Sequence, residues 1–108
     1  MATDYFTCPK NFIINSEEDV LRLFEKQYPH HKLLILQSNL NPDFFDLKTG
    51  LAGAILQKLV NYQVQTAFVV DPESGAQEHF REMMAEANTK NEFRFFATKE
   101  AATEWLEK

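Results

Sequence analysis

Apolar residues along the chain change their period from one segment to the next, and each period predicts an element. Val20, Leu21, Phe24 and Tyr28 recur at helical spacing. Ser16 stands just before them as an N-cap, with Glu17, Glu18 and Asp19 where the helix dipole favours negative charge, and Pro29 ends the pattern. A helix to about Tyr28 is expected. Leu33 to Leu36 is a continuous apolar run, the pattern of a strand covered on both faces, and Val64 to Val70 reads the same way until Asp71 and Pro72 stop it. Between these strands Leu51 to Tyr62 is a helix of nearly unbroken apolarity, interrupted by Gly53, Gln57, Lys58 and Asn61. A strand–helix–strand unit of this length is parallel and right-handed.

Beyond Asp71 a third helix sets Ala76, Phe80, Met83, Met84 and Ala87 on one face, with Glu78, Glu82 and Glu86 as an acidic ridge elsewhere. Phe93 to Ala97 is a last short strand. Thr98 caps a final helix whose stripe is Ala101, Ala102, Trp105 and Leu106. At the amino end, Tyr5 to Cys8 and Phe12 to Ile14 are short strands, with Pro9 limiting one continuous ladder. The order is β-α-β-α-β-α-β-α. It predicts a single α/β domain over residues 1–108, with a mostly parallel sheet of about four or five strands and four helices.

Composition narrows the function classes. At 108 residues, with 44% hydrophobic positions, the chain can bury a core without disulfides or a structural metal. Eleven Lys and Arg against sixteen Asp and Glu give a net charge of −5, which disfavours nucleic acid and anionic membrane surfaces as partners. No apolar run is long enough to span a bilayer. A single Cys8 and no secretory pattern make a cytoplasmic location the expectation. No phosphate-binding glycine motif or metal signature is present, so neither a cofactor nor a metal is implied. His30 and His31 are adjacent and point apart in an extended chain, which makes them poor joint ligands.

The run Phe44-Phe45-Asp46-Leu47-Lys48-Thr49-Gly50-Leu51-Ala52-Gly53, continued by Ile55-Leu56-Gln57-Lys58 and Asn61-Tyr62, resembles an uncharacterised bacterial family, domain of unknown function forty-one-eighty. The likeness extends from about Phe12 to Leu106. It implies a fold and no activity. Leu34-Ile35-Leu36, Phe45-Asp46 and Thr49-Gly50-Leu51, with Phe95-Phe96-Ala97 and Trp105-Leu106 at the end, more distantly resemble STAS domains, the anti-sigma-factor antagonists. In those domains a loop Ser is phosphorylated by a partner kinase, and this switches binding off. Here the loop is one residue longer, with Leu47 or Lys48 in the place of that Ser.

These residues form the candidate binding corner: Phe44, Phe45, Asp46, Lys48, Thr49, Gly50 and Gly53. Thr49 has two readings. Its hydroxyl caps the amino end of the helix, or it is a phosphoacceptor whose charge meets the positive end of the dipole beside Lys48. Phe44 and Phe45 are core plugs or, if exposed, partner contacts. Gly53 inside a helix costs about 1 kcal/mol relative to Ala. Either the helix backbone approaches the sheet closely there, or room is kept for a ligand or a partner's backbone.

A second candidate is a pocket beyond the carboxyl ends of the strands, at Ser38, Asn39 and Asp71, near Asp46 and Lys48. As an enzyme site it would use Asp46 and Asp71 as acid and base, with Lys48 stabilising an anion. Asp71 before Pro72 is more simply a turn residue that ends the strand. The leading expectation is therefore a non-enzymatic binding or regulatory module that engages a protein partner through residues 44–53. The rivals are a small-molecule binder or enzyme at the strand ends, and a homo-oligomer paired through the Phe93 to Phe96 edge if that edge is open.

Overall fold

The computed structural model describes residues 5–28, 30–71 and 78–108. Strand β1 (Phe6–Thr7) leads to helix α1 (Glu17–Gln27), strand β2 (Lys32–Leu36), helix α2 (Leu51–Asn61), strand β3 (Gln65–Val69), helix α3 (Glu78–Ala87), strand β4 (Phe93–Phe96) and helix α4 (Lys99–Leu106). The sheet is four-stranded and wholly parallel, in the order β1-β2-β3-β4. Leu33 pairs with Thr66, and Thr66 pairs with Phe93, which fixes the register across the middle of the sheet.

When strands add to a sheet in sequence order and every crossover has the same hand, all the crossover helices lie on one face. That is the arrangement found. Leu33, Ile35, Phe68 and Phe95 point to the face covered by α1, α2 and α3, through Leu23, Ile55, Leu59 and Phe80 among others. Leu34 and Ala67 point to the opposite face, which α4 covers with Ala102, Trp105 and Leu106. The apolar runs of β2 and β3 are thus explained by burial on both faces. Lys32 donates from Nζ to the carbonyl of Leu106 at 2.6 Å, a cation at the negative end of α4 that ties the helix to the start of β2.

Several expected boundaries shift by a residue. Ser16 caps α1, accepting from the Asp19 amide at 3.3 Å, and Thr98 caps α4, accepting from the Ala101 amide at 3.2 Å. The expected strand over Phe12 to Ile14 is reduced to one parallel bridge, Ile14 with Leu40, because the chain there is held from the side by Asn39. Of the stripe expected on the third helix, Ala76 lies outside the described residues.

The β4 edge is not bare. Phe95, whose ring is buried, turns its backbone groups away from β3: its amide donates to Asn88 Oδ1 at 2.8 Å and its carbonyl accepts from Asn88 Nδ2 at 3.1 Å. One side-chain amide thereby satisfies both backbone groups that an added strand would use at that position. The condition set for pairing two copies through this edge, that it be open, is not met at Phe95.

Candidate functional site

Between β2 and α2 the chain makes three short 3-10 turns, at Gln37–Asn39, Pro42–Phe45 and Leu47–Thr49. Each turn is held by a short polar side chain. Asn39 is fully buried. Its Oδ1 accepts from the Leu36 amide at 3.0 Å, and its Nδ2 donates to the carbonyls of Pro9 and Phe12, both at 2.8 Å. Asn41 Oδ1 accepts from the Asp43 amide at 2.8 Å, with Pro42 at the first position of its turn, and Asn41 Nδ2 donates to Asn15 Oδ1 at 2.8 Å. Asp46 Oδ1 accepts from the Lys48 amide at 3.1 Å and so caps the last turn.

Phe44 anchors this segment to the core. It is fully buried, with ring centroids 5.6 Å from Phe68, 5.7 Å from Phe80 and 5.3 Å from Phe45. Phe45 is half-buried, packed against the same core and 5.2 Å from Phe80. Of the two readings of this pair, core packing is the observed one. Phe44 has no surface left for a partner and leaves the candidate corner.

Thr49 is the hinge of the last turn. Its hydroxyl lies 2.8 Å from the Asp43 carbonyl and 2.9 Å from the Asp46 carbonyl, to which it donates, and it accepts from the Leu51 amide at 3.2 Å. The helix N-cap by backbone geometry is Gly50, with φ +77° and no side-chain cap, so Thr49 holds the helix start from one residue outside. A phosphate on Thr49 would remove the single hydroxyl donor that joins these turns. Gly50 needs its positive φ.

Gly53 needs nothing of the kind. It is exposed, and a Cβ placed on it would meet no atom within 4 Å. The expected close approach between helix backbone and sheet is therefore absent, because Gly53 faces away from the core that Ala52, Ile55 and Leu56 enter. The exposed surface of the corner is Leu47, Lys48, Thr49, Gly50 and Gly53, with Asp46 half-buried at its side. A shallow groove of about 360 Å³ adjoins it, lined by Ser16, Glu17, Asp43, Thr49, Gly50 and Ala54, among others, where the amino ends of α1 and α2 converge.

The second candidate divides. Ser38 and Asp71 are exposed, and Gln37 Oε1 accepts from the Asp71 amide at 2.6 Å, which joins the carboxyl ends of β2 and β3. Asn39 is turned inward with both amide protons already donated, so it has no donor for a ligand. Asp46 is engaged in capping a turn. Cys8 is buried, and burial pushes its thiol up to about 12 from an ordinary 9.0, so it stays protonated and is not a nucleophile at neutral pH. Among the described residues no group of three His, Cys, Asp or Glu side chains is placed to hold a metal, and no helix is long and apolar enough to cross a membrane.

With this geometry described, the chain can be set beside known proteins. A family model described as a domain of unknown function, DUF4180, matches residues 3–106. The chain belongs to the DUF4180 family. The match covers both faces of the sheet and the whole corner, so the segment of 3-10 turns and the start of α2 lie inside the family's domain. No curated protein and no solved structure gives a significant match.

Three features escaped the sequence reading. The inward turn of Asn39 and the Asn88 clamp on Phe95 leave no periodic trace, although clustered Asn, Pro and Asp at 39–43 signal turns. The third is a groove of about 620 Å³ at the amino ends of the strands, lined by Phe24, Gln27, Tyr28, His30, His31 and Tyr62, among others.

Proposed function

We propose that this DUF4180 protein is a non-enzymatic binding or regulatory module that engages a protein partner through Leu47, Lys48, Thr49, Gly50 and Gly53. The observation that carries this reading is Gly53. An exposed glycine in a helix costs about 1 kcal/mol against Ala, and nothing on the inner side of α2 requires it. A smooth, backbone-exposing helix start makes sense if another backbone lies against it. Leu47 beside it is 37% exposed, an apolar side chain at the tip of a turn. The turns beneath are tied by Asn39, Asn41, Asp46 and Thr49, so the surface is pre-organised and little ordering cost falls on binding. The side chains that an acid–base pair would need are committed elsewhere or held at the surface, which favours binding over catalysis at this corner.

The test is affinity capture from the protein's own host cells with the wild type, Leu47→Asp and Lys48→Glu. Lys48→Glu falls on an exposed side chain and is expected to leave the thermal midpoint unchanged, whereas Leu47→Asp gives up the covered part of a side chain 37% exposed and is read beside its own midpoint. The expected result is a protein retained by the wild type and lost by both variants. Equal retention by all three overturns the proposal.

A further inference from the structure

The sheet ends in two unlike edges. β1 is two residues long and offers little to a further strand, whereas β4 runs over four residues, three of them phenylalanine. The carbonyls of Glu92 and Phe96 accept from the Thr66 and Val70 amides, so by alternation the backbone groups of Phe93 and Phe95 turn away from β3. An edge strand rich in aromatic residues and free of proline is a template for a second chain unless something covers it.

Asn88 covers it. The residue follows α3 and is itself exposed, so its amide is within reach of water. Its oxygen instead accepts from the Phe95 amide at 2.8 Å, and its nitrogen donates to the Phe95 carbonyl at 3.1 Å. These are the two bonds that Phe95 would exchange with its counterpart if two copies met edge to edge in antiparallel register about a two-fold axis. The turn that carries Asn88 is held at β4 a second time. Arg94 donates from Nε to the Lys90 carbonyl and from Nη2 to Asn91 Oδ1 at 3.0 Å, and its guanidinium lies 5.3 Å from the centre of the Trp105 ring.

We propose that β4 is a self-association edge held shut by an autoinhibitory contact: the Asn88 amide stands where Phe95 of a second copy would bind, and the chain pairs with itself once that amide is removed. The occupant is a second copy because the outward groups of Phe95, one donor and one acceptor, complement themselves under a two-fold. The same register sets Phe95 opposite Phe95 and Arg94 opposite Phe96, an aromatic pair and a cation facing a ring. This edge shares no residue with the proposed partner surface at Leu47 to Gly53, so either can fail alone.

The test compares the wild type, Asn88→Ala and the double variant Asn88→Ala/Phe93→Pro by sedimentation velocity over a concentration series, with exchange of the Phe95 amide followed by NMR. Phe93→Pro removes an outward amide and leaves the ladder to β3 intact. The weight-average mass of Asn88→Ala is expected to rise about two-fold with concentration, while the wild type and the double variant remain at the mass of one chain. The Phe95 amide should be protected at every concentration in the wild type, and in Asn88→Ala only once it associates. Asn88→Asp keeps the acceptor for the Phe95 amide but loses the donor to its carbonyl, and it stands in for Asn88→Ala, with the same outcomes, if that variant does not fold. A mass equal to that of the wild type at every concentration, or association that Phe93→Pro leaves in place, overturns the proposal.

Discussion

The two ends of helix α2 are built on opposite terms. At its amino end the side chains of Asn39, Asn41, Asp46 and Thr49 are all engaged with backbone groups, and Phe44 pins the turns to the core. At its carboxyl end a buried Gln27 oxygen is unpaired, and Tyr28 and Tyr62 lie largely open. A region with its polar groups satisfied can present a fixed surface to a macromolecule. The carboxyl end has no such set of ties and leaves two aromatic rings largely uncovered. In the proposed account one helix thus has a fixed docking surface at one end and a more loosely tied, open end at the other.

The largest expected effect falls on the amino end. Phe44→Ala removes a fully buried ring from a cluster with Phe45, Phe68 and Phe80, and should lower unfolding free energy by about 3–5 kcal/mol in a denaturant titration. A loss below about 1 kcal/mol would show that the turns are not anchored through this ring. Asn39→Ala comes next. It removes the Asn39 partner of the Leu36 amide and of the Phe12 carbonyl and leaves the Pro9 carbonyl with the Phe12 amide, and a loss of roughly 2–3 kcal/mol is expected from the same titration. The matching change at the open end, Tyr62→Ala, removes a half-exposed ring contact with Phe24 and should cost only about 1 kcal/mol. Losses of similar size from Asn39→Ala and Tyr62→Ala would erase the contrast between the two ends. An effect of the same small size is expected at Gly50. Gly50→Ala forces a Cβ into φ +77° with free space around it, a strain of about 1 kcal/mol.

How much of this was legible in the sequence depends on whether a residue acts through periodicity. Ser16 and Thr98 announce their helices because capping is local chemistry with a local signal. The apolar runs 33–36 and 64–70 give β2 and β3 because burial on both faces leaves a continuous pattern. Residues 37–50 give no such pattern, since three short 3-10 turns have neither a helical nor a strand period. The composition there says turn but not which amide points inward, so Asn39 looked like a pocket residue and is a latch. Gly53 was visible as an anomaly. Only its surroundings show that the anomaly lies on the outer face. The groove at Gln27 joins α1, α2 and the starts of two strands, and no single stretch of sequence contains it.

The central claim, that the corner is shaped for a partner rather than for stability, is tested most directly by enlarging Gly53. Gly53→Ala and Gly53→Gln are made, and thermal stability is read beside retention of the captured partner. A side chain there meets open space, so both variants should be more stable than the wild type, Ala by about 1 kcal/mol. Retention should fall with Ala and be lost with Gln. Variants that are stabilised yet hold the partner as firmly as the wild type would contradict the account.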